Sequence, residues 1–223
     1  VDGLDLDVRQ GEFFASLAPN AAGKTTTIKM LSGLLRPTSG EVIVGGYDML
    51  REPQKAKSNL AYVPDFPFLY DKLTSVEFMQ FVGDIFGMER KAILDGTDQL
   101  FDTFNLNDYR HELTENLSHG TRQRLVISSA LLHDPKVLVI DEPMVGLDPT
   151  HGRIVKRVFR ERAEAGMTVF LSTHQLSVAE EMADRIGIIH HGKLIALGTV
   201  DELRVQVGEG ALEKIFLSLI DAE

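Results

Sequence analysis

Between an apolar run at Glu12 to Leu17 and a helical pattern that opens at Gly23, the chain reads Ala18-Pro19-Asn20-Ala21-Ala22-Gly23-Lys24-Thr25. The run has the length and character of a buried strand, and it stops where turn residues take over. Ile28, Leu31 and Leu35 give the following helix an apolar face, with Pro37 and Gly40 expected to close it. A strand, a short loop and a helix start in this order leave backbone N–H groups converging on one point. The helix dipole makes that point attractive to an anion.

Gly23-Lys24-Thr25 alone fits an ordinary turn into a helix as well as a phosphate-binding loop, and the preceding strand supplies the context the second needs. In such a loop Asn20, Ala21, Ala22, Gly23, Lys24, Thr25 and Thr26 surround a nucleotide's phosphates. Lys24 reaches the β- and γ-phosphates, Thr25 places its hydroxyl on Mg²⁺, and Thr26 lies near the α-phosphate. Ala18 stands where the pattern G-x-x-x-x-G-K-[ST] has its first glycine, and Ala21 where related loops often carry another. If either position needs positive φ, alanine costs on the order of 1–2 kcal/mol there.

Strand-length runs recur at Leu60 to Val63, Val137 to Ile140, Thr168 to Leu171, Ile186 to Ile189 and Leu194 to Ala196, with helices from Pro149 and Gln175 between them. This alternation predicts an α/β fold with a mostly parallel sheet. Near the N-terminus, Leu4, Leu6 and Val8 alternate with Asp5, Asp7 and Arg9, which predicts a half-buried strand, and Glu41 to Val44 reads as another. The chain begins at Val1 without Met, so that first strand is expected to be cut short. From about Leu73 to Leu132 no strand pattern survives, and Phe78, Phe81, Phe86, Phe101 and Phe104 are spaced for a helical core. The expected organisation is one domain, 1–223, with an α/β core from 1–72 and 133–223 and a helical subdomain at 73–132.

Lys136 to Pro143 is an apolar strand that ends in Asp141-Glu142. Strand ends of a parallel sheet open onto the ligand crevice. Asp141 suits the shell of a Mg²⁺ ion, and Glu142 suits polarising an attacking water. These residues alone also fit a strand capped by an acidic turn. Leu117-Ser118-His119-Gly120-Thr121-Arg122-Gln123-Arg124-Leu125 opens a further helix with Ser118 as its N-cap. Gly146-Leu147-Asp148-Pro149 follows the carboxylates, and Leu171-Ser172-Thr173-His174 is a strand ending in histidine.

Bulk properties narrow the classes. The 223 residues carry 23 Lys and Arg against 33 Asp and Glu, a net charge of −10, which argues against nucleic acid as the main partner. There is no cysteine, which excludes a disulfide framework and a cysteine metal site. No apolar run reaches the roughly 20 residues of a membrane span, and no signal-peptide pattern opens the sequence. Any membrane role is therefore expected to come through a partner.

In their order, the phosphate loop, the helical stretch, the Ser118 segment, the Asp141-Glu142 strand, Gly146-Leu147-Asp148 and His174 resemble the ATP-binding cassette (ABC) ATPases over nearly the whole chain, from Gly11 to at least Leu203. The resemblance implies a phosphate-loop NTPase core with a mostly parallel sheet, an N-terminal antiparallel β segment and an inserted helical subdomain. It implies ATP and Mg²⁺ as ligands, with Thr25, Asp65 and Asp141 at the metal and Lys24, Glu142 and His174 serving hydrolysis. Ser118, His119, Gly120 and Thr121 then act as the signature in trans, on the ATP held by a second ABC ATPase subunit in a homodimer or heterodimer. Gly146, Leu147 and Asp148 form the D-loop. A transmembrane permease is the implied partner, on the cytoplasmic face of the membrane.

Three departures stand out. Asp65 lies where the family usually has glutamine. His119 and Thr121 replace a glycine and a glutamine of the signature. No aromatic residue precedes Gly11 to stack on adenine. The phrases Glu142 to Asp148, Thr168 to His174 and Leu212 to Leu217 resemble bacterial exporter-type ATPases. Two other readings compete: a soluble ABC ATPase acting on the ribosome or nucleic acid, and a nucleotide-binding regulatory module with weak turnover, which Ala18, Ala21 and Asp65 motivate.

Overall fold

The structure, a computed structural model, describes residues 1–19 and 22–207. Asn20, Ala21 and the segment from Leu212 to Leu217 lie outside the described residues.

Strand β1 (Phe13–Leu17) is buried at every position, as a strand covered on both faces must be. It sits inside a six-stranded sheet formed with β4 (Leu60–Val63), β5 (Val137–Asp141), β6 (Thr168–Thr173), β7 (Arg185–His190) and β8 (Lys193–Gly198), in the order β4-β5-β6-β1-β7-β8. Every neighbouring pair is parallel except β7 with β8. The register places Leu17 opposite Thr173 and Asp141 opposite Ser172, so three central strands deliver their last residues to one edge. The site is assembled on that edge.

A separate two-stranded antiparallel ladder joins β2 (Ile43–Val44) to β3 (Tyr47–Asp48). The alternation at Leu4, Leu6 and Val8 does appear as alternating burial, yet these residues form no strand. Leu6 and Val8 rest on a cluster containing Phe14, Ile28 and Phe170, and Leu4 rests on Ala18 and Ile189. Lying on a core surface produces the same period of two as pairing in a sheet, without the ladder. The expected strand from Glu41 shrinks to Ile43–Val44.

Helix α1 (Lys24–Leu31) ends earlier than Pro37. Gly33 takes φ +69, its N–H bonds the Met30 carbonyl at 3.1 Å and the Leu34 N–H bonds the Lys29 carbonyl at 2.8 Å. That paired closure stops the helix, and Leu35 is left exposed instead of extending the apolar face.

After the short α2 (Pro53–Ser58), the stretch between β4 and β5 is built from α3 (Ser75–Ile85), α4 (Arg90–Phe104), two single 3₁₀ turns and α5 (His119–Leu131). Thr74 and Glu77 cap α3 reciprocally, each side chain bonding the other's backbone N–H. Where α3 meets α4, a Cβ on Gly83 would stand 2.5 Å from Ile93 Cγ1, so the glycine permits the approach. Buried Arg124 of α5 donates to the carbonyls of Phe104 at 2.6 Å and Asn105 at 2.9 Å, tying α5 to the end of α4. Of the five phenylalanines expected in a helical core, Phe78, Phe101 and Phe104 are buried. Phe81 and Phe86 lie at the surface, edge-on to Tyr70 at 4.9 Å and stacked on His133 at 3.6 Å. Their helical spacing is real, but each faces a partner at the rim.

The chain continues through α6 (Pro149–Glu164), α7 (Leu176–Met182) and α8 (Val200–Val207). Among the described residues no helix is long and apolar enough to cross a membrane.

Candidate functional site

The loop from β1 into α1 turns at Gly23, the N-cap, with φ +109 and ψ 2. A side chain there would suffer twice. The backbone lies in the left-handed region, and a Cβ would stand 3.3 Å from Gly192 Cα. The β7–β8 turn supports the loop from behind, since Gly192 N–H donates to the Ala22 carbonyl at 2.8 Å. Ala18 is fully buried and does not adopt positive φ, so alanine in place of glycine carries no strain at that position.

Lys24 opens α1 and folds back over the loop. Its Nζ donates to the Ala18 carbonyl at 2.8 Å and stands 3.6 Å from Glu142 Oε1. Thr25 is exposed on the same first turn, with Thr26 partly covered.

Across the edge, Glu142 follows the end of β5 at φ +47, an uncommon conformation for a residue with a side chain. Its N–H bonds the Ser172 carbonyl at 2.9 Å, which pins the strained backbone. The carboxylate is mostly buried and well supplied with donors. Oε1 accepts from the His174 backbone N–H at 2.7 Å and meets His174 Nδ1 at 2.6 Å, while Oε2 accepts from the Thr173 hydroxyl at 2.9 Å. Sequence reasoning named Lys24, Glu142 and His174 but not Thr173 or the Ala18 carbonyl. The signal for Thr173 was its place as the last residue of a buried strand, beside the histidine.

Asp141, the last residue of β5, is 6% exposed. Burial pushes its carboxyl pKa up, the charges of Asp65 and Glu142 add to the rise, and Lys24 opposes it. Tyr62 of β4 is pushed up to about 12, chiefly by burial and then by Asp141 and Asp65. Asp65, Asp141 and Glu142 thus share one electrostatic field around Lys24. Oxygen donors carrying more negative than positive charge are the chemistry of a hard divalent cation, so the donor types suit Mg²⁺. Among the described residues no three His, Asp or Glu side chains converge as a ready-made metal cluster, and an ion here would keep waters and phosphate oxygens in its shell.

The Ser118 segment lies apart from this cluster, with no hydrogen bond or ion pair to it among the described residues. Ser118 caps α5, its Oγ accepting from Thr121 N–H at 3.2 Å and meeting Thr121 Oγ1 at 2.9 Å. Ser118 and His119 are exposed. The segment packs instead on Gly146, at φ +79: a Cβ there would overlap the His119 ring, and a Cβ on Gly120 would come within 3.0 Å of the Gly146 carbonyl oxygen. His119 also lies 6.3 Å from the Phe66 ring, centroid to centroid. Leu147 is partly buried beside this contact. Asp148 caps α6 through the N–H groups of Thr150 and His151, and its bond to the His151 ring holds its carboxyl down to about 2.

The ABC transporter family matches residues 1–145 of this chain. The chain belongs to the ABC transporter ATPases. This ABC ATPase is 35% identical, over 221 residues, to the linearmycin resistance ATP-binding protein LnrL of Bacillus subtilis (strain 168), covering 99% of this chain and 71% of that protein. It is 38% identical, over 223 residues, to the daunorubicin/doxorubicin resistance ATP-binding protein DrrA of Streptomyces peucetius, covering 100% of this chain and 67% of that protein. Its fold is similar to a solved ATP-binding subunit of an ABC transporter, with a TM-score of 0.90, 32% identity and coverage of 96% and 90% of the two chains. Binding and hydrolysis of ATP follow from membership of this ATPase family.

Proposed function

We propose that this ABC ATPase powers a membrane exporter by pairing head to tail with a second ABC ATPase subunit each time two ATP molecules bind. The names of LnrL and DrrA, both resistance ATP-binding proteins, support the exporter reading. The absence of a membrane-crossing helix among the described residues fits attachment through a transmembrane permease on the cytoplasmic face. Residues 1–72 and 133–223 serve as the nucleotide-binding core, and 73–132 as the helical unit that carries the signature.

The observation that carries the hydrolytic reading is the Glu142 carboxylate, held between Lys24, Thr173 and His174 at the edge where the strands end. Lys24 leaves the Ala18 carbonyl to bind the β- and γ-phosphates, joined by N–H groups of the loop. Glu142 accepts the proton of the attacking water, a role worth typically 10²–10⁴-fold in rate. His174 contacts the γ-phosphate and keeps Glu142 oriented. Thr25, Asp141 and Asp65 are the groups that would hold Mg²⁺, which supplies charge neutralisation on the β- and γ-phosphates. Exposed Ser118 and half-buried Gly120 present the N-terminus of α5 to the γ-phosphate of the partner subunit, with exposed His119 between them and Thr121 buried behind Ser118. The D-loop residues Gly146, Leu147 and Asp148 back that surface within the same chain.

Substituting Glu142→Gln tests this directly. ATP binding is retained, phosphate release falls by at least about 100-fold, and an ATP-bound dimer accumulates in size-exclusion chromatography. Wild-type turnover in the variant would remove Glu142 from the role. A wild-type protein that binds ATP and never releases phosphate, even with its permease, would favour the regulatory module. Co-purification with ribosomes or DNA instead of a membrane protein would favour the soluble ABC ATPase.

A further inference from the structure

We propose that Thr173 is a positioning residue for hydrolysis: its hydroxyl commits one oxygen of the Glu142 carboxylate and leaves the other as the oxygen that receives the water's proton. The inference rests on Glu142 acting as the base.

The direction of this hydrogen bond is set by its surroundings. Thr173 Oγ1 accepts from the Gln175 backbone N–H at 3.0 Å, and Glu142 Oε2 lies 2.9 Å away. A hydroxyl carries one proton and an ionised carboxylate can only accept, so the proton points at Oε2. The hydroxyl is itself fixed. Thr173 is 2% exposed and ends β6, which lies between β5 and β1, opposite Leu17 in the register.

The two carboxylate oxygens are therefore unlike. Oε1 is surrounded by Lys24 at 3.6 Å, His174 Nδ1 at 2.6 Å and the His174 backbone N–H at 2.7 Å. Lys24 and the His174 ring are the two groups assigned above to the γ-phosphate, so nucleotide binding draws them away from Oε1. This leaves the His174 backbone N–H as the remaining donor to Oε1, with a lone pair free for the proton. Thr173 has no such competing role, and its bond to Oε2 survives. A glutamate side chain has three rotatable bonds, and holding it in one orientation costs conformational entropy. The strained backbone at Glu142 fixes one end of that side chain, and Thr173 with the His174 backbone N–H fixes the other, one donor on each oxygen. In the step itself an O–H bond of water breaks, its proton passes to Oε1, and the water oxygen bonds the γ-phosphorus. The bond from that phosphorus to the β–γ bridging oxygen breaks, leaving its electron pair on ADP. The Thr173 proton stays where it is throughout.

The test is steady-state and single-turnover ATP hydrolysis by the full chain carrying Thr173→Val, Thr173→Ala or Thr173→Ser, alone and combined with Glu142→Gln. Valine keeps the shape and removes the hydroxyl, alanine gives a second removal should valine fail to fold, and serine keeps the hydroxyl. The expected result is a kcat lower by on the order of 10–100-fold in the valine and alanine variants, with KM for ATP within about threefold of wild type. Serine should hold kcat within about threefold. In the Glu142→Gln background the valine change should add no further loss, because the group it positions is gone.

Unchanged kcat in both removal variants overturns the proposal, as does a serine variant that fares no better than alanine. A valine loss repeated in full on top of Glu142→Gln also overturns it, because Thr173 would then act through the Gln175 turn alone. Wild-type turnover by Glu142→Gln would sink the base assignment itself, an outcome separate from any result at Thr173.

Discussion

Lys24 Nζ stands 3.6 Å from Glu142 Oε1 while donating to the Ala18 carbonyl at 2.8 Å, so one ammonium spans the loop after β1 and the residue after β5. Both side chains are about nine-tenths buried, which makes the pair sensitive to whatever else enters the crevice. A triphosphate offers the lysine more charge than one carboxylate does.

Lys24→Met should weaken ATP binding by at least about tenfold, the cost of roughly 1.4 kcal/mol of lost charge-assisted contact. Stability should change little, because Glu142 keeps its donors from Thr173 and His174. Isothermal titration with ATP alongside thermal unfolding separates the two effects, and unchanged affinity would contradict the assignment of Lys24.

Gly146→Ala should destabilise the protein by about 1–3 kcal/mol, because the new methyl group meets the His119 ring on a backbone already at positive φ. Adding His119→Gly removes the clash and leaves the backbone cost, so the double variant should recover part of the lost Tm and no more. Full recovery would mean that the φ value carries no penalty, and no recovery would mean that the histidine is not the obstacle.

Asp141→Asn should raise Tm at neutral pH. The folded-state pKa of Asp141 is raised above its ordinary value, chiefly by burial. Such a group contributes stability below its unfolded pKa and loses it as pH rises through the folded value. The asparagine variant should therefore gain over wild type near pH 7, with the gain shrinking as pH falls through the raised folded value and gone below about 4. The same substitution should weaken Mg²⁺-dependent ATP hydrolysis, so stability and activity move in opposite directions. A Tm below that of wild type at pH 7 would argue against a strained carboxylate.

Gly83→Ala should cost about 1–3 kcal/mol by forcing α3 away from α4, where Ile93 occupies the space a methyl group would need. For a chain of this size each kcal/mol lowers Tm by about 2–4 °C. Unfolding followed by circular dichroism measures it, and an unchanged midpoint would mean that Ile93 finds another rotamer.

The strand at Leu60 to Val63 is found at the residues its apolar run marks, because a buried parallel strand needs only a continuous apolar stretch and the Pro64 that ends it. Thr168 to Leu171 runs on to Thr173, since polar Ser172 and Thr173 remain in the ladder where the edge carries chemistry. The alternation at Leu4 to Val8 misleads for a physical reason. Period-two burial states which side faces the core and says nothing about a pairing partner. Phe81 and Phe86 show the same limit on a helix, where their spacing is right and the neighbours that expose them are distant in sequence. At the site, ordered motifs brought Lys24, Asp141, Glu142 and His174 into consideration, and the structure brings all four to one edge. The hydroxyl of Thr173 and the contact of His119 with Gly146 depend on register and on positive φ, which residue types alone do not encode.

Val63 of β4 lies opposite Ile140 and Leu60 opposite Val137, so the long helical connection departs from the sheet at the site edge and rejoins it at the far one. It is a strap buckled on both sides of a rigid plate. Any tilt of α3, α4 and α5 bears on these two buckles as well as on the packing of α5 against β4 and of His119 against Gly146. The one at the site edge begins at Pro64, a single residue before Asp65, whose charge already bears on Asp141. The same two residues that let the chain leave the plate thus set how near the Asp65 charge comes to Asp141.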